Sequence, residues 1–161
     1  VPPMHSMPYI ENRLLPAVAE GASRANRSMD DIDLIVPVFA IPGDSTDERQ
    51  KMLHRAKTQI AFYGSTPNYA FQFDDLGFEG TTEKLGQLMR KGDMQGLADT
   101  ITDEMLSHFA VVAKWDDMAD ALKARYEGVA SRVVTYLAAE DIQRNPSNVS
   151  KWGEIATAVR T

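Results

Sequence analysis

Chemistry in this chain of 161 residues has to come from histidine, paired carboxylates, hydroxyls and aromatic rings, because there is no Cys. That absence removes a disulfide framework, thiolate metal ligands and a Cys nucleophile together. The three histidines, His5, His54 and His108, stand apart from one another. No H-E-x-x-H or H-x-E pattern surrounds them, so their spacing offers no metal ligand set. His54 lies among Lys51, Arg55 and Lys57. This stretch reads first as a solvated helix face, with a ligand or anion site as the sharper alternative. His108 opens an apolar segment and reads as a satisfied structural histidine. Acidic pairs at Asp30-Asp31, Asp74-Asp75, Asp103-Glu104 and Asp116-Asp117 fall at expected helix ends. Carboxylates there cap free N–H groups or oppose the helix dipole, which ranks ahead of a glycosidase-type acid pair. The sequence has no G-x-S-x-G elbow, no G-x-G-x-x-G turn and no Walker A loop. The aromatic set Phe62, Tyr63, Tyr69, Phe71 and Phe73 reads as core or as a wall against another subunit, with a surface beside a flavin-like ring as the functional alternative.

The elements that must position these residues follow from periodicity. Residues 9–27 carry apolar side chains at helical spacing, and Pro16 divides them into a short helix and a second one with Pro16 in its first turn. Leu34 to Ile41 is a run rich in β-branched residues and apolar on both faces, the mark of a buried parallel strand. Pro37 counts against a central position, since it cannot donate to a ladder. Ser45 to Glu48 reads as a capping box, the Glu48 carboxylate reaching back to the Ser45 N–H, and opens a helix to Tyr63 with Gly64 as a left-handed stop. Further helices are predicted around Tyr69 to Phe73, Leu85 to Met89, and from a cap at Asp93 through Leu106. His108 to Ala113 predicts a short strand, Met118 to Tyr126 a helix, Arg132 to Leu137 a second good strand, and Val149 to Val159 a last amphipathic helix. Asn145-Pro146 falls in a stretch expected to be irregular.

Composition narrows the function classes. With 43% apolar residues the chain has material for one globular core. A net charge of −6 disfavours binding to a phosphate backbone, so no nucleic-acid partner is expected. No apolar run approaches the roughly 20 residues of a membrane span and no leader pattern is present, so the expectation is a cytoplasmic protein with no membrane partner. The chain opens on Val1-Pro2-Pro3 without an initiating Met, which suggests a piece of something longer.

Several segments, taken in order, resemble a known family. They are the opening from Pro3 to Ile10, Leu15 to Ala22, the run Ile60-Ala61-Phe62-Tyr63-Gly64-Ser65-Thr66-Pro67-Asn68-Tyr69, Ile101 to Met105, Arg125 to Gly128, and Ser131 to Val133. Together they are similar to the C-terminal part of luciferase-like monooxygenases, in the branch of probable deazaflavin (coenzyme F420)-dependent oxidoreductases. The resemblance implies an α/β fold: the C-terminal portion of a (β/α)8 TIM barrel, helix-rich, with 1–161 as one domain. Leu34 to Ile41 would be the seventh strand and Arg132 to Leu137 the eighth, with 64–107 a helical insertion between these last two strands. A complete barrel takes about 250 residues, so the rest would come from a missing N-terminal barrel half or from a homo-oligomer.

The implied activity is hydride transfer between a small-molecule substrate and F420, with FMN as the alternative cofactor. Barrel enzymes place their sites at the C-terminal ends of the strands. The positions this chain would contribute are His5 and Ser6 in the opening loop, residues 41–44 with Gly43 after the seventh strand, and Tyr136 to Ala139 after the eighth. His5 is the implied catalytic residue, as donor or proton relay, and Ser6, Gly43 and Tyr136 are the implied cofactor contacts. Family members commonly carry Gly-Thr where this chain has Ala113-Lys114, which removes one backbone approach. The alternative reading is a non-enzymatic helical interaction domain derived from the barrel's outer shell.

Overall fold

A computed structural model describes residues 1–160. The N-terminal helical segment is continuous where a break is expected. It comprises α1 (Met7–Tyr9), a π-helical turn over Ile10–Leu14, and α2 (Leu15–Arg24), with Pro16 in the first turn of α2. Pro16 offers no N–H to the preceding turn, and the wider bond from the Leu15 N–H to the Ile10 carbonyl carries the chain past it. Strand β1 (Ile35–Pro42) follows, then α3 (Thr46–Gly64), α4 (Ala70–Asp74), α5 (Thr81–Lys91), α6 (Met94–Thr100) and α7 (Asp103–Phe109). The chain closes with β2 (Ala110–Ala113), α8 (Met118–Tyr126), β3 (Arg132–Thr135), α9 (Ala138–Arg144) and α10 (Val149–Ala158).

Four local expectations are corrected. The helix predicted from Asp93 through Leu106 is two helices, because Ile101 is extended and the Thr102 hydroxyl recaps the chain by accepting from the Met105 N–H at 3.1 Å. Gly64 is not a left-handed stop: it ends α3 in ordinary helical geometry and Ser65 is the cap. Its lack of a side chain serves packing, since a Cβ there would stand 2.5 Å from Cε2 of Phe73. The Glu48 carboxylate reaches the Asp44 N–H at 2.8 Å rather than that of Ser45, while the Ser45 hydroxyl accepts from the Glu48 N–H as predicted. Helix α9 occupies part of the stretch expected to be irregular.

The three strands are parallel in the order β2-β1-β3. The two best strand predictions are therefore neighbours, with Val36 opposite Val133 and Val38 opposite Thr135. β1 is central despite Pro37, and alternation explains how. The carbonyls of Leu34 and Val38 accept from β3 residues, so even-numbered positions bond toward β3 and odd-numbered ones toward the β2 side. Pro37 lacks its N–H on the β2 side, where the ladder begins only at Phe39. No ladder bond is lost.

Each face of the sheet carries its own core. Phe39 and Ile41 pack with Ala56, Ile60, Phe73, Leu97 and Phe109 from α3, α4, α6 and α7. Val36, Val38 and Ala40 pack on the other face with Met118 and Leu122 of α8 and Trp152 and Ile155 of α10. The helical excursion thus joins β1 to β2 across one face, and α8 joins β2 to β3 across the other. The expected insertion between the last two strands is accordingly placed before β2, and β3 is reached through β2 and α8. The result is a helix-rich α/β structure with an open three-stranded sheet that has helices packed on both faces. No helix among the described residues is long and apolar enough to cross a membrane.

Candidate functional site

Where β3 ends, the Tyr136 N–H still donates to the Val38 carbonyl at 2.8 Å, which fixes its ring on the Phe39 face of the sheet. The two rings meet edge to face at 5.1 Å between centroids. The Tyr136 hydroxyl lies 3.0 Å from that of Tyr63, near the end of α3, and the Tyr63 ring is flanked by Phe62 and Tyr69. The hydrogen bond with Tyr136, with burial second, pushes the Tyr63 phenol up to about 12. Tyr63 therefore keeps its proton at neutral pH. Two hydroxyls sharing one bond leave one O–H to donate outward, besides lone pairs to accept. Around them the surface is apolar: Phe62 is 53% exposed, Val134 46%, Ile35 43% and Tyr136 37%. Alternation and register put Ile35, Val134 and Tyr136 on the same sheet face as Phe39, on the part that α3 leaves bare.

The end of β1 is built differently. The Gly43 N–H donates to the Ala113 carbonyl at 3.1 Å, and its carbonyl accepts from the Arg49 guanidinium, so both backbone groups are used within the fold. Beyond it the two Glu48 oxygens are divided, one taking the Asp44 N–H and the other the Trp115 indole N–H at 2.6 Å. These bonds, the Trp115 one foremost, hold the Glu48 carboxyl below the usual range. Trp115 meets Trp152 edge to face at 5.4 Å, and the Trp152 indole N–H donates to Asp141 at 2.9 Å. Periodicity did not single out this belt of Glu48, Asp141 and two indoles. The available signal is that an indole in an apolar helix stripe needs a buried acceptor.

His5 and Ser6 lie elsewhere. His5 is 1% exposed, with Nδ1 2.9 Å from the Pro2 carbonyl and Nε2 3.1 Å from the Tyr126 hydroxyl. A carbonyl can only accept, so Nδ1 carries the proton and Nε2 accepts from Tyr126. Burial, against the opposing pull of the Pro2 carbonyl, lowers the imidazole to about 4. This is the setting of a neutral structural histidine, and a relay role would need the Pro2 and Tyr126 contacts to part. The Ser6 hydroxyl contacts the buried Gln72 at 3.4 Å and accepts from the Tyr9 N–H, capping α1. The four sequence-predicted residues thus fall in three places, and of them only Tyr136 presents a partly exposed polar side chain at a strand end, its hydroxyl shared with Tyr63. No group of three or more His, Cys, Asp or Glu able to hold a metal is found among the described residues.

The family model for luciferase-like monooxygenases matches residues 1–132. The chain belongs to this family. Its curated relatives include the uncharacterized protein Rv1360 of Mycobacterium tuberculosis (strain ATCC 25618 / H37Rv) and the uncharacterized protein Mb1395 of Mycobacterium bovis. Each is 34% identical over 132 residues, which is 82% of this chain and 39% of the relative. The matched segment therefore spans well under half the length of these relatives. The family match runs through β1, β2 and α8 to the first residue of β3.

A flavin or deazaflavin presents a flat conjugated ring and an anionic tail, and the residues present suit the two parts unequally. Tyr136, Tyr63 and the exposed Phe62 offer aromatic surface and a phenolic donor for a ring. The helices that start beyond β1 and β3 do not offer a phosphate cradle, because their first turns carry Asp47 and Glu48, and Glu140 and Asp141. Carboxylates already oppose the dipole that would attract a phosphate there.

Proposed function

We propose that this chain is the C-terminal portion of a barrel-type oxidoreductase that moves a hydride between a small-molecule substrate and F420, with FMN as the alternative. The observation that carries this reading is the luciferase-like match over residues 1–132 in a chain spanning 39% of its relatives. The cofactor supplies the hydride chemistry when bound. Tyr63 and Tyr136 would offer its ring an aromatic surface and one phenolic O–H, and Phe39, packed behind Tyr136, would shield that side from water. Residues to hold the anionic tail and to make the catalytic contacts would come from an N-terminal barrel half or from a partner copy. A cytoplasmic location fits this chemistry. His5 acts as relay only if it is released from Pro2 and Tyr126.

The test is titration with reduced F420 and with FMN of the 161-residue chain and of the same chain fused to the N-terminal part of the tuberculosis relative. The expected result is saturable binding by the fusion alone. Saturable micromolar binding by the isolated chain would overturn the division of the site, and a folded fusion that binds neither cofactor would overturn the oxidoreductase reading. The exposed apolar group of Ile35, Val134, Phe62 and Tyr136 favours a second reading, a non-enzymatic interaction domain. Light scattering separates the two: a stable 17.9 kDa monomer supports a self-sufficient domain, and self-association supports a part of a larger assembly.

A further inference from the structure

An open sheet has two outer edges, and each leaves backbone groups that another chain can pair with unless something blunts them. On β2 the outward Ala110 carbonyl is taken by the Arg125 guanidinium at 2.7 Å. β3 has no such cover. Its even-numbered N–H groups turn to β1, as those of Arg132 and Tyr136 do toward the Leu34 and Val38 carbonyls. Alternation turns the N–H and C=O of Val133 and Thr135 outward, where no partner meets them among the described residues. The strand Arg132-Val133-Val134-Thr135 carries no Pro, no Lys and no carboxylate to keep another strand away.

Beside that edge, on the Phe39 face, lies the exposed apolar strip of Ile35, Val134 and Tyr136. The same alternation puts Arg132 on this face, exposed and with no side-chain hydrogen bond or ion pair among the described residues. An identical strand can meet β3 about a two-fold axis only antiparallel. The axis can pass through Val133, Val134 or Thr135, and the backbone decides among them. Only through Val134 do the free groups join one another, Val133 of each copy facing Thr135 of the other and exchanging both bonds with it. An axis through Val133 would call on the Ser131 N–H, already given to the Leu34 carbonyl, and one through Thr135 on Leu137, the cap of α9. The Val134 register also matches side chains. Val134 meets its own copy across the axis, and at both ends Arg132 lies opposite Tyr136, a cation beside an aromatic ring. The two guanidiniums stay apart.

We propose that β3 is a self-docking edge: two copies of the chain pair antiparallel along it, about an axis through Val134, and join their sheets into one. The apolar strips of the two copies then form a single surface on the Phe39 face. Each copy brings a strand of only four residues, so the dimer is weak and reversible. The pairing does not draw on the oxidoreductase reading. Cofactor titration scores that reading and cross-linking scores the pairing, so either can fail alone.

The test is light scattering of the full chain over a concentration series, with mild oxidation of single-Cys variants beside it. The parent chain should pass from monomer to dimer as its concentration rises. Because the chain has no Cys, Val134→Cys supplies one thiol per copy. The axis brings those two positions to about 4.5 Å between Cα atoms, within the reach of a disulfide. Val134→Cys should therefore form a covalent dimer readily. Val112→Cys, on β2 and as exposed at 44% against 46%, should link far more slowly. Val134→Lys sets two ammonium groups against each other at the axis and should keep the chain monomeric, with amide spectra unaltered away from β3. A parent chain that stays monomeric to about 1 mM, the weak end of specific association, would overturn the proposal. So would a dimer that Val134→Lys leaves intact, or equal linking rates from positions 112 and 134.

Discussion

The phenolic oxygens of Tyr63 and Tyr136 lie 3.0 Å apart and join the end of α3 to the end of β3. The bond is also the first cause of the raised Tyr63 ionisation. Tyr136→Phe removes the hydroxyl while leaving a ring to pack on Phe39. Tyr63 should then titrate below about 12, toward the ordinary 10 for a phenol, in a pH series of its ring carbon resonances. The stability change should be small, about 1 kcal/mol, as for other partly exposed hydrogen bonds. An unmoved Tyr63 titration in this variant would show that burial, and not the shared bond, sets it.

His5 gives the chain a pH-dependent stability whose sign follows from its buried neutral form. Its folded value is about 4 against 6.5 for a free imidazole, so between these values the unfolded chain binds more protons. The contribution is complete above pH 6.5 and is lost as pH falls toward 4. The whole shift corresponds to roughly 3 kcal/mol at most. In His5→Gln the midpoint of urea unfolding should therefore depend less on pH between 6.5 and 4 than in the parent chain. Glu48, whose carboxyl is lowered by Trp115 and the Asp44 N–H, adds acid sensitivity only below the ordinary carboxyl value of 4.5, so above pH 4.5 the two contributions are distinct. Equal slopes in parent and variant above pH 4.5 would sink this assignment.

Much of the fold is legible in local sequence. The β-branched run through Val36 and Val38, the Ser45 cap and the strand at Val133 each carry their signal within a few residues. Strand order is different, because it depends on which edge of β1 a distant segment reaches. Residues 110–113 pair with its C-terminal half and 132–135 with its N-terminal half, on opposite sides. Helix α9 was hidden because Leu137, with no capping side chain, precedes it and Pro146 follows closely. The site divides in the same way. Tyr136 and Gly43 are found at strand ends from the strands alone. The burial of His5 depends on Tyr126, 121 residues away, and the phenol pair on a separation of 73, distances that no periodicity registers.

Two glycines of similar appearance should respond differently to alanine. At Gly64 a Cβ would lie 2.5 and 2.9 Å from two ring carbons of Phe73 and 3.2 Å from Leu85. Phe73 is fully buried against Phe109 and cannot yield. Overpacking of about 1–3 kcal/mol outweighs the gain of up to about 1 kcal/mol that alanine brings to a helix, so Gly64→Ala should lower the unfolding midpoint. At Gly43 the obstacle is Cγ of Arg49 at 2.6 Å, part of a flexible side chain. Arg49 can swing aside at the expense of its bond to the Gly43 carbonyl, and Gly43→Ala should cost under about 1.5 kcal/mol. Thermal unfolding of the two variants side by side checks the order.

Asp141 should be the most costly polar residue to remove at the C-terminal end of the sheet. One of its oxygens takes the Asn145 amide at 3.1 Å, and the other takes the Asn148 amide and the Trp152 indole at 3.0 and 2.9 Å. A single side chain thus ties α9 to the turn after it and to α10. Alanine leaves the buried indole N–H and two amides without their acceptor, at a cost of about 1–3 kcal/mol for the indole alone. Asparagine keeps one oxygen, which can still serve the indole, so stability should fall in the order Asp, Asn, Ala. The indole proton gives a reading that a general loss of stability would not. In Asp141→Ala the Trp152 indole N–H should exchange with solvent faster, while that of Trp115, bonded to Glu48, keeps its protection. Glu48→Gln should produce the milder converse, with an oxygen still available to Trp115 and Trp152 unaffected. If both indoles lose protection together in Asp141→Ala, the two carboxylates act as one cooperative unit and the local assignment fails.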